Sequence, residues 1–323
     1  MNKTENNKAT PLKEKIKNSL HKRKDKIKQT WFLIKLNRIY YYMMAPFFLL
    51  FFLFTILPVL MSMVLSFTYF NMLEAPNFVF VDNYIRLFLD DDVFMVALQN
   101  TLVLAVITGP VSYLLAFIFA WLINELPRRL RSLMTLIFYA PSLSAAAFTI
   151  WLLIFSGDVY GYANAHLMNL GIIDEPILWL QNPDYALPIL ILVQLWLSLG
   201  VGFLAFIAGL QNVDKSLYEA GAIDGIKNRW QELWFITLPQ MKPQLMFGAV
   251  MQITGSFAIG MLSKTLFGFP SVDYAAHTVI NHLDDFGSIR YELGYASAIA
   301  TVLFTFMIFT NKFIQRLLVK VGT

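Results

Sequence analysis

The sequence predicts an all-α, polytopic membrane protein with six transmembrane helices. Three observations carry that expectation. Hydrophobic residues make up 57% of the 323 positions and charged residues only 14%, where an ordinary soluble domain carries about 25% charged residues. The apolar residues gather in six runs of about 20, the length a helix needs to cross a hydrocarbon core. The connections between the runs alternate between acidic and basic. Cysteine is absent, which excludes disulfides, thiolate metal sites and cysteine nucleophiles.

The elements follow in order. Residues 1–38 hold twelve Lys or Arg against Glu5, Glu14 and Asp25. The first ten residues are polar, and from Leu12 apolar residues recur at helical spacing through Ile16, Leu20, Ile27 and Trp31. That pattern predicts a cytoplasmic arm, residues 1–40, whose basic amphipathic helix lies on an anionic lipid surface. A basic segment beside a span is ordinary positive-inside anchoring, so nucleic acid is not expected as a partner. No small-residue cleavage site follows the first apolar run, so a removable signal peptide is not expected.

Residues 41–323 form the expected six-span domain. The runs are 43–66, interrupted by Pro58; 101–123; 133–155, expected to kink at Pro141; 186–210, with Gly200 and Gly202; 245–266; and 295–314. Proline is tolerated in such spans where neighbours satisfy the freed carbonyl. Segment 67–100 sets Glu74, Asp82, Asp90, Asp91 and Asp92 against Arg86, and segment 156–185 has four acids and no Lys or Arg. Segment 267–294 sets Asp273, Asp284, Asp285 and Glu292 against Arg290. The intervening connections carry Arg128, Arg129 and Arg131, then Lys215, Lys227, Arg229 and Lys242, and the tail carries Lys312, Arg316 and Lys320. Positive charge marks the cytoplasmic side, so both termini and the 211–243 loop are expected there.

Polar groups inside spans are costly and raise a functional question. Gln194 and Trp196 in the fourth run, and Gln252, Thr254, Gly255 and Ser256 in the fifth, are the candidates for a substrate path. Gln252 and Ser256 share a helical face, with Gly255 beside them giving room. Neutral hydrogen-bonding groups and aromatic faces are what a sugar requires, yet the same residues serve equally well as contacts between helices. Tyr139, Ser142 and Ser144 flank Pro141 as weaker candidates. Lys264 is expected to snorkel outward in preference to pairing with Asp273. His277 and His282, five residues apart on an expected helix, would place their imidazoles on different faces, so no metal site is expected. The 269–290 segment reads as a partly helical outer gate or receptor-docking surface.

The densest mix of charge, glycine and aromatic residues is the stretch EAGAIDGIKNRWQELWFITLP, 219–239. Glu219 precedes the small residues Ala220, Gly221 and Ala222, Asp224 and Gly225 follow, and Ile236, Leu238 and Pro239 close the loop. Small residues admit another protein's surface, and glycine lets the backbone turn sharply. Asp214 is the expected N-cap, with the loop's acids set against Lys215 and Lys227. No Gly-x-x-x-x-Gly-Lys-Ser/Thr phosphate loop occurs, so if transport is driven by ATP, the nucleotide has to be bound by another subunit.

The order Glu-Ala-x-Ala-x-x-Asp-Gly followed by Ile-x-Leu-Pro resembles the cytoplasmic signature loop of permease subunits of bacterial ATP-binding-cassette (ABC) importers. It is similar to the carbohydrate-uptake branch (maltose and multiple-sugar type), and the likeness extends from about Tyr42 to Lys312. Gly221 stands where the family has a second alanine, and one extra residue lies between Gly225 and Ile236. The resemblance implies a type I ABC importer permease fold and a transport subunit in a bacterial plasma membrane, without enzymatic activity or a cofactor of its own. It implies ATP and Mg bound by two cytoplasmic ATPase subunits, a second, paralogous permease and an extracytoplasmic solute-binding protein. The coupling role of that loop falls on Glu219, Ala220, Gly221, Asp224 and Gly225. An importer of a non-sugar solute and an ion-gradient-driven transporter are the alternatives. The latter normally buries Asp, Glu or Arg in its spans, and none falls within the six apolar cores.

Overall fold

The computed structural model describes residues 28–144 and 146–319. The chain divides into two compact units, Met1–Met61 and Ser62–Thr323. Most of the expected amphipathic helix lies outside the described residues. Its last residues, from 28, are helical, and Trp31 is exposed.

Helix α1, Arg38–Leu65, is 28 residues long and apolar enough to cross a membrane. None of its residues is buried. Over Phe52–Ile56 it widens into a π-turn, and the Leu57 N–H reaches the Phe52 carbonyl. Pro58 has no N–H and its ring crowds the preceding turn, so a widened turn lets the helix continue through it.

In the second unit, β1 (Thr68–Tyr69) and β2 (Asn77–Phe78) form a short antiparallel ribbon with Thr68 opposite Phe78. Helix α2, Asp92–Asn124, runs for 33 residues. Its buried stripe is rich in small residues: Ala97, Thr101, Ala105, Gly109, then Ser112, Ala116 and Ala120, interspersed with Phe94, Leu104 and Phe117. Spacing of about one turn between small side chains lets neighbouring backbones come close, which is how helices pack where water supplies no drive. Three apolar clusters result. One joins Phe94 and Ile253 to Ile299, a second Ile123 to Phe206, Leu233 and Met241, and a third Leu104 to Val193 and Leu262.

The remaining expected spans are found, and three of them are broken. Helices α3 (Arg128–Leu143) and α4 (Ala147–Ile154) meet at 84°. The expected kink at Pro141 is therefore displaced: the helix runs through Pro141, and Ser144 is extended. A proline removes a hydrogen bond to the turn before it, so the helix ends within the next few residues. After the short α5 (Tyr162–Asn169), helix α6 spans Pro183–Gln211 in two parts, Pro183–Leu197 and Val201–Gln211. Helices α7 (Lys215–Ile223) and α8 (Arg229–Glu232) belong to the connecting loop. The fifth span is α9 (Lys242–Phe257) with α10 (Gly260–Phe267), bent by 41°, and the last is α12 (Leu293–Val319), preceded by α11 (Val279–Asp284). Among the described residues four helices alone are long and apolar enough to cross a membrane, and each bent pair counted as one span brings the total to six.

Candidate functional site

The 211–243 loop is built from local capping. The Asp214 carboxylate accepts the Ser216 N–H at 3.0 Å and starts α7, as expected, and those hydrogen bonds hold its carboxyl below the usual range. The far end of α7 is a Schellman closure. The Ile226 N–H reaches the Gly221 carbonyl at 2.9 Å and the Gly225 N–H reaches that of Ala222 at 3.4 Å. Gly225 supplies the left-handed residue, with φ of +94°. Gly221 is the one buried residue of α7. A Cβ there would lie 2.7 Å from the Ile236 Cδ1 and 3.0 Å from the Ile226 Cδ1. The missing methyl group is filled by two isoleucines of the same loop, which accounts for glycine where the family has alanine.

The outer face of α7 is open. Glu219, Ala220, Ala222 and Asp224 are exposed, and Ile223 is 88% exposed. The expected pairing of the loop's acids with Lys215 and Lys227 does not form; the ion pairs here instead join Arg229 to Glu125 at 2.9 Å and to Glu232 at 2.7 Å. Both carboxylates raise the Arg229 pKa, the Glu232 hydrogen bond most. A cavity of about 580 Å³ opens beside them, lined by Trp121, Glu125, Arg131, Tyr218 and Arg229 among others.

Of the residues expected to line a substrate path, Gln252 meets the break in α6, and the others are distributed around it. Gln252 is buried, and its Nε2 donates to the Ser198 carbonyl at 2.9 Å, satisfying a backbone group that the break frees. Ser256 is buried too: its hydroxyl donates to the Ile253 carbonyl, and a Cβ on Gly109 would lie 3.4 Å from its Oγ. Gly255 and Thr254 face the other way and are exposed. Gln194 is half-buried and has no protein hydrogen-bond partner among the described residues. Trp196 is exposed on one face and packs edge-on to Trp151, with centroids 5.6 Å apart. Tyr139 is half-buried against the second apolar cluster, and its carbonyl accepts the Ser142 hydroxyl. Ser142 in turn sits beside Gly200.

At the other end of α2 lies an arrangement that the sequence did not suggest. The Asp91 carboxylate accepts the Phe94 N–H at 2.8 Å, His282 Nε2 at 2.9 Å and the Tyr295 hydroxyl at 2.7 Å. Burial opposes its ionisation, but these hydrogen bonds prevail and hold the carboxyl well below the usual range. His277 lies outside α11, before its N-cap Thr278, so the expectation of a shared helix fails and the two imidazoles meet, with His277 Nε2 3.4 Å from His282 Nδ1. Burial, then the neighbouring His282, push His277 down to about 4. Among the described residues no three potential metal ligands cluster. Lys264 does not snorkel freely: it pairs with Asp284 at 2.6 Å, and Asp273 has no part in it. A cleft of about 480 Å³ opens here, with Arg86, Asp91, Tyr274, His277 and Arg290 in its wall. The only sequence cue was the acid run 90–92 abutting an apolar stretch, an N-cap signal for α2.

Residues 112–320 match the model of the family described as the binding-protein-dependent transport system inner membrane component. The chain belongs to this family. The probable ABC transporter permease YesP of Bacillus subtilis (strain 168) is 36% identical over 236 residues, 72% of this chain and 74% of the relative. The lactose transport system permease LacF of Rhizobium radiobacter is 34% identical, over 67% of this chain and 71% of the relative. The arabinooligosaccharides permease AraP of Bacillus subtilis (strain 168) is 32% identical, over 81% and 83%. A crystal structure of a bacterial ABC transporter that imports alginate superposes with a TM-score of 0.68 at 24% identity, covering 89% of this chain and 98% of that one, and shows the same fold. As a permease of a binding-protein-dependent ABC importer, the chain is a multi-pass component of the bacterial inner membrane, not a catalyst, and works with a binding protein. Membership removes the ion-gradient alternative.

Proposed function

We propose that this permease pairs with a second, paralogous permease over two cytoplasmic ATPase subunits and imports a carbohydrate, most naturally an oligosaccharide. The solute-binding protein delivers the sugar from outside, and ATP and Mg reside on the ATPases. The 211–243 loop faces the cytoplasm and the Asp91 end faces outward, the reading that the charge alternation supports. Relatives named for lactose and arabinooligosaccharides support the sugar.

The observation that carries the mechanism is α7. It is capped at both ends, anchored inward through Gly221 and the Tyr218 hydroxyl, and turns Glu219, Ala220, Ile223 and Asp224 to solvent. A capped helix that turns small, apolar and acidic side chains outward is a docking element: an ATPase groove takes it, and closure of the ATPases moves it. The spans then alternate between outward and inward openings. Along the path, Trp196 and Gly255 present the exposed surface for sugar, together with Tyr139 and Gln194. Gln252 and Ser256 hold the α6 break and α9 in place behind them.

The test is uptake by the complete importer in proteoliposomes, with labelled di- and trisaccharides and the cognate binding protein. Glu219→Lys and Gly225→Val should leave the complex assembled and abolish ATP-dependent uptake. Uptake at the wild-type rate by both variants refutes the docking role, and uptake of other solutes but no saccharide refutes the sugar.

A further inference from the structure

The segment after α7 is held from two sides. Toward α7, the Tyr218 and Thr237 hydroxyls hydrogen-bond at 2.9 Å, and Ile226 and Ile236 close over Gly221. Toward α2, Arg229 reaches Glu125, 104 residues away in sequence, and grips Glu232 of its own helix with its other nitrogen. The Trp121 and Trp230 rings lie 5.1 Å apart directly beside this pair. Beneath them Leu233 shares the apolar cluster of Ala120 and Ile123. The end of α2 is itself braced, because Arg131 at the start of α3 bonds the Asn124 side chain and the Leu126 carbonyl.

The loop is joined covalently only to the fourth and fifth spans. We propose that Arg229 and Glu125, with Trp230 on Trp121, are positioning residues that carry the displacement of α7 into α2. The inference rests on the docking role proposed for α7. An ion pair this open, with side chains 63% and 44% exposed, adds little to stability. Its value is directional. A guanidinium is a planar fork, and between two carboxylates it fixes both distance and angle, which a lysine cannot do. Helix α2 is the element against which the fourth and fifth spans pack, through Phe117 with Phe206 and through Ser256 on Gly109. A push at residue 125 therefore moves the helix that both path-lining spans lean on.

The experiment compares Glu125→Arg, Arg229→Glu and the double exchange in the complete reconstituted importer, reading sugar taken up per ATP hydrolysed. Each single reversal should lower that ratio by about fivefold or more. The exchange should restore it, because Arg at 125 then faces carboxylates at both 229 and 232. Glu125→Gln, which hardly changes the shape, should give a smaller loss in the same direction and stands in if a reversal fails to assemble. Glu219→Lys is the control for the docking role. If it leaves the ratio at the wild-type value, the docking role falls and this inference with it. If it uncouples while the 125 and 229 variants keep the wild-type ratio, or the exchange restores nothing, α7 docks but α2 is not driven through this pair.

Discussion

The two ends of α2 solve the same problem with opposite chemistry. Each must join stretches of chain far apart in sequence. At its start a single carboxylate, Asp91, takes three donors from its own helix, from α11 and from α12, in a nearly closed site. At its end Arg229 spans two carboxylates in the open. A buried group surrounded by fitted donors is costly to disturb, because each donor left unpaired pays its full desolvation. An exposed ion pair adds little to stability, whatever direction it sets. The Asp91 end is thus a fixed corner, whereas the loop end can shift with whatever docks on it. A transporter that takes its drive from one side needs that asymmetry.

The largest expected effect tests this contrast directly. Asp91→Ala removes an N-cap and leaves the His282 Nε2 and the Tyr295 hydroxyl without an acceptor, and should cost about 3 kcal/mol. Arg229→Ala should cost about 0.5 kcal/mol. Thermal unfolding of the protein in nanodiscs reads both. Equal falls in Tm would remove the distinction between a fixed corner and a pliable one.

Acid should act on one end only. His277 has a folded pKa of about 4 against an ordinary 6.5. The unfolded chain takes up that proton first, so stability is full above 6.5, declines as the pH falls toward 4, and is flat for this group below it. The groups acting on the ring are His282, Asp285, Asp91 and Lys264. Asp91 is depressed, so its contribution persists down to its ordinary 3.8 and is lost only below that. At the loop end the shifted groups are Asp214, lowered by its hydrogen bonds to Ser216, and Arg229, raised by Glu232 and Glu125, and neither titrates in this window. Hydrogen exchange should therefore quicken across 269–292 between pH 7 and 4.5 while 214–240 keeps its pH-corrected protection, and His277→Asn should abolish the difference.

Most of the fold was legible because hydropathy, proline and charge each report on local environment. The six runs, the Asp214 cap and the turn at Gly225 follow from residues close together in sequence. Breaks within spans were legible only in part: a kink was expected at Pro141 and falls just after it, while the apolar windows of the fourth and fifth spans look the same whether the helix is straight or broken. The pairings of Arg229 with Glu125, Lys264 with Asp284 and His277 with His282 depend on where distant helices start. Assuming that one helix carried both histidines placed their rings apart, when the N-cap at Thr278 brings them together. Gln252 and Ser256 were correctly placed on one face, but only packing reveals that this face meets other helices while Gly255 and Thr254 look outward.

The smallest expected effect separates two glycines four residues apart in the loop. Gly225 has φ of +94°, where a side chain is strained whatever space surrounds it, so Gly225→Ala should cost about 1 kcal/mol and loosen the end of α7. Gly221 is helical, and what a methyl group would meet there is the mobile end of two isoleucines. Turning those Cδ1 groups aside costs something, but alanine in a helix gains about 0.5–1 kcal/mol over glycine. The two should nearly cancel, and Gly221→Ala should change stability by no more than about 0.5 kcal/mol. Uptake per ATP should then be unaltered in Gly221→Ala and reduced in Gly225→Ala, because a methyl group absorbed inside the loop leaves the docking face where it was. A Gly221→Ala variant as impaired as Gly225→Ala would mean that Ile226 and Ile236 cannot yield, and that the loop end is packed as rigidly as the Asp91 corner.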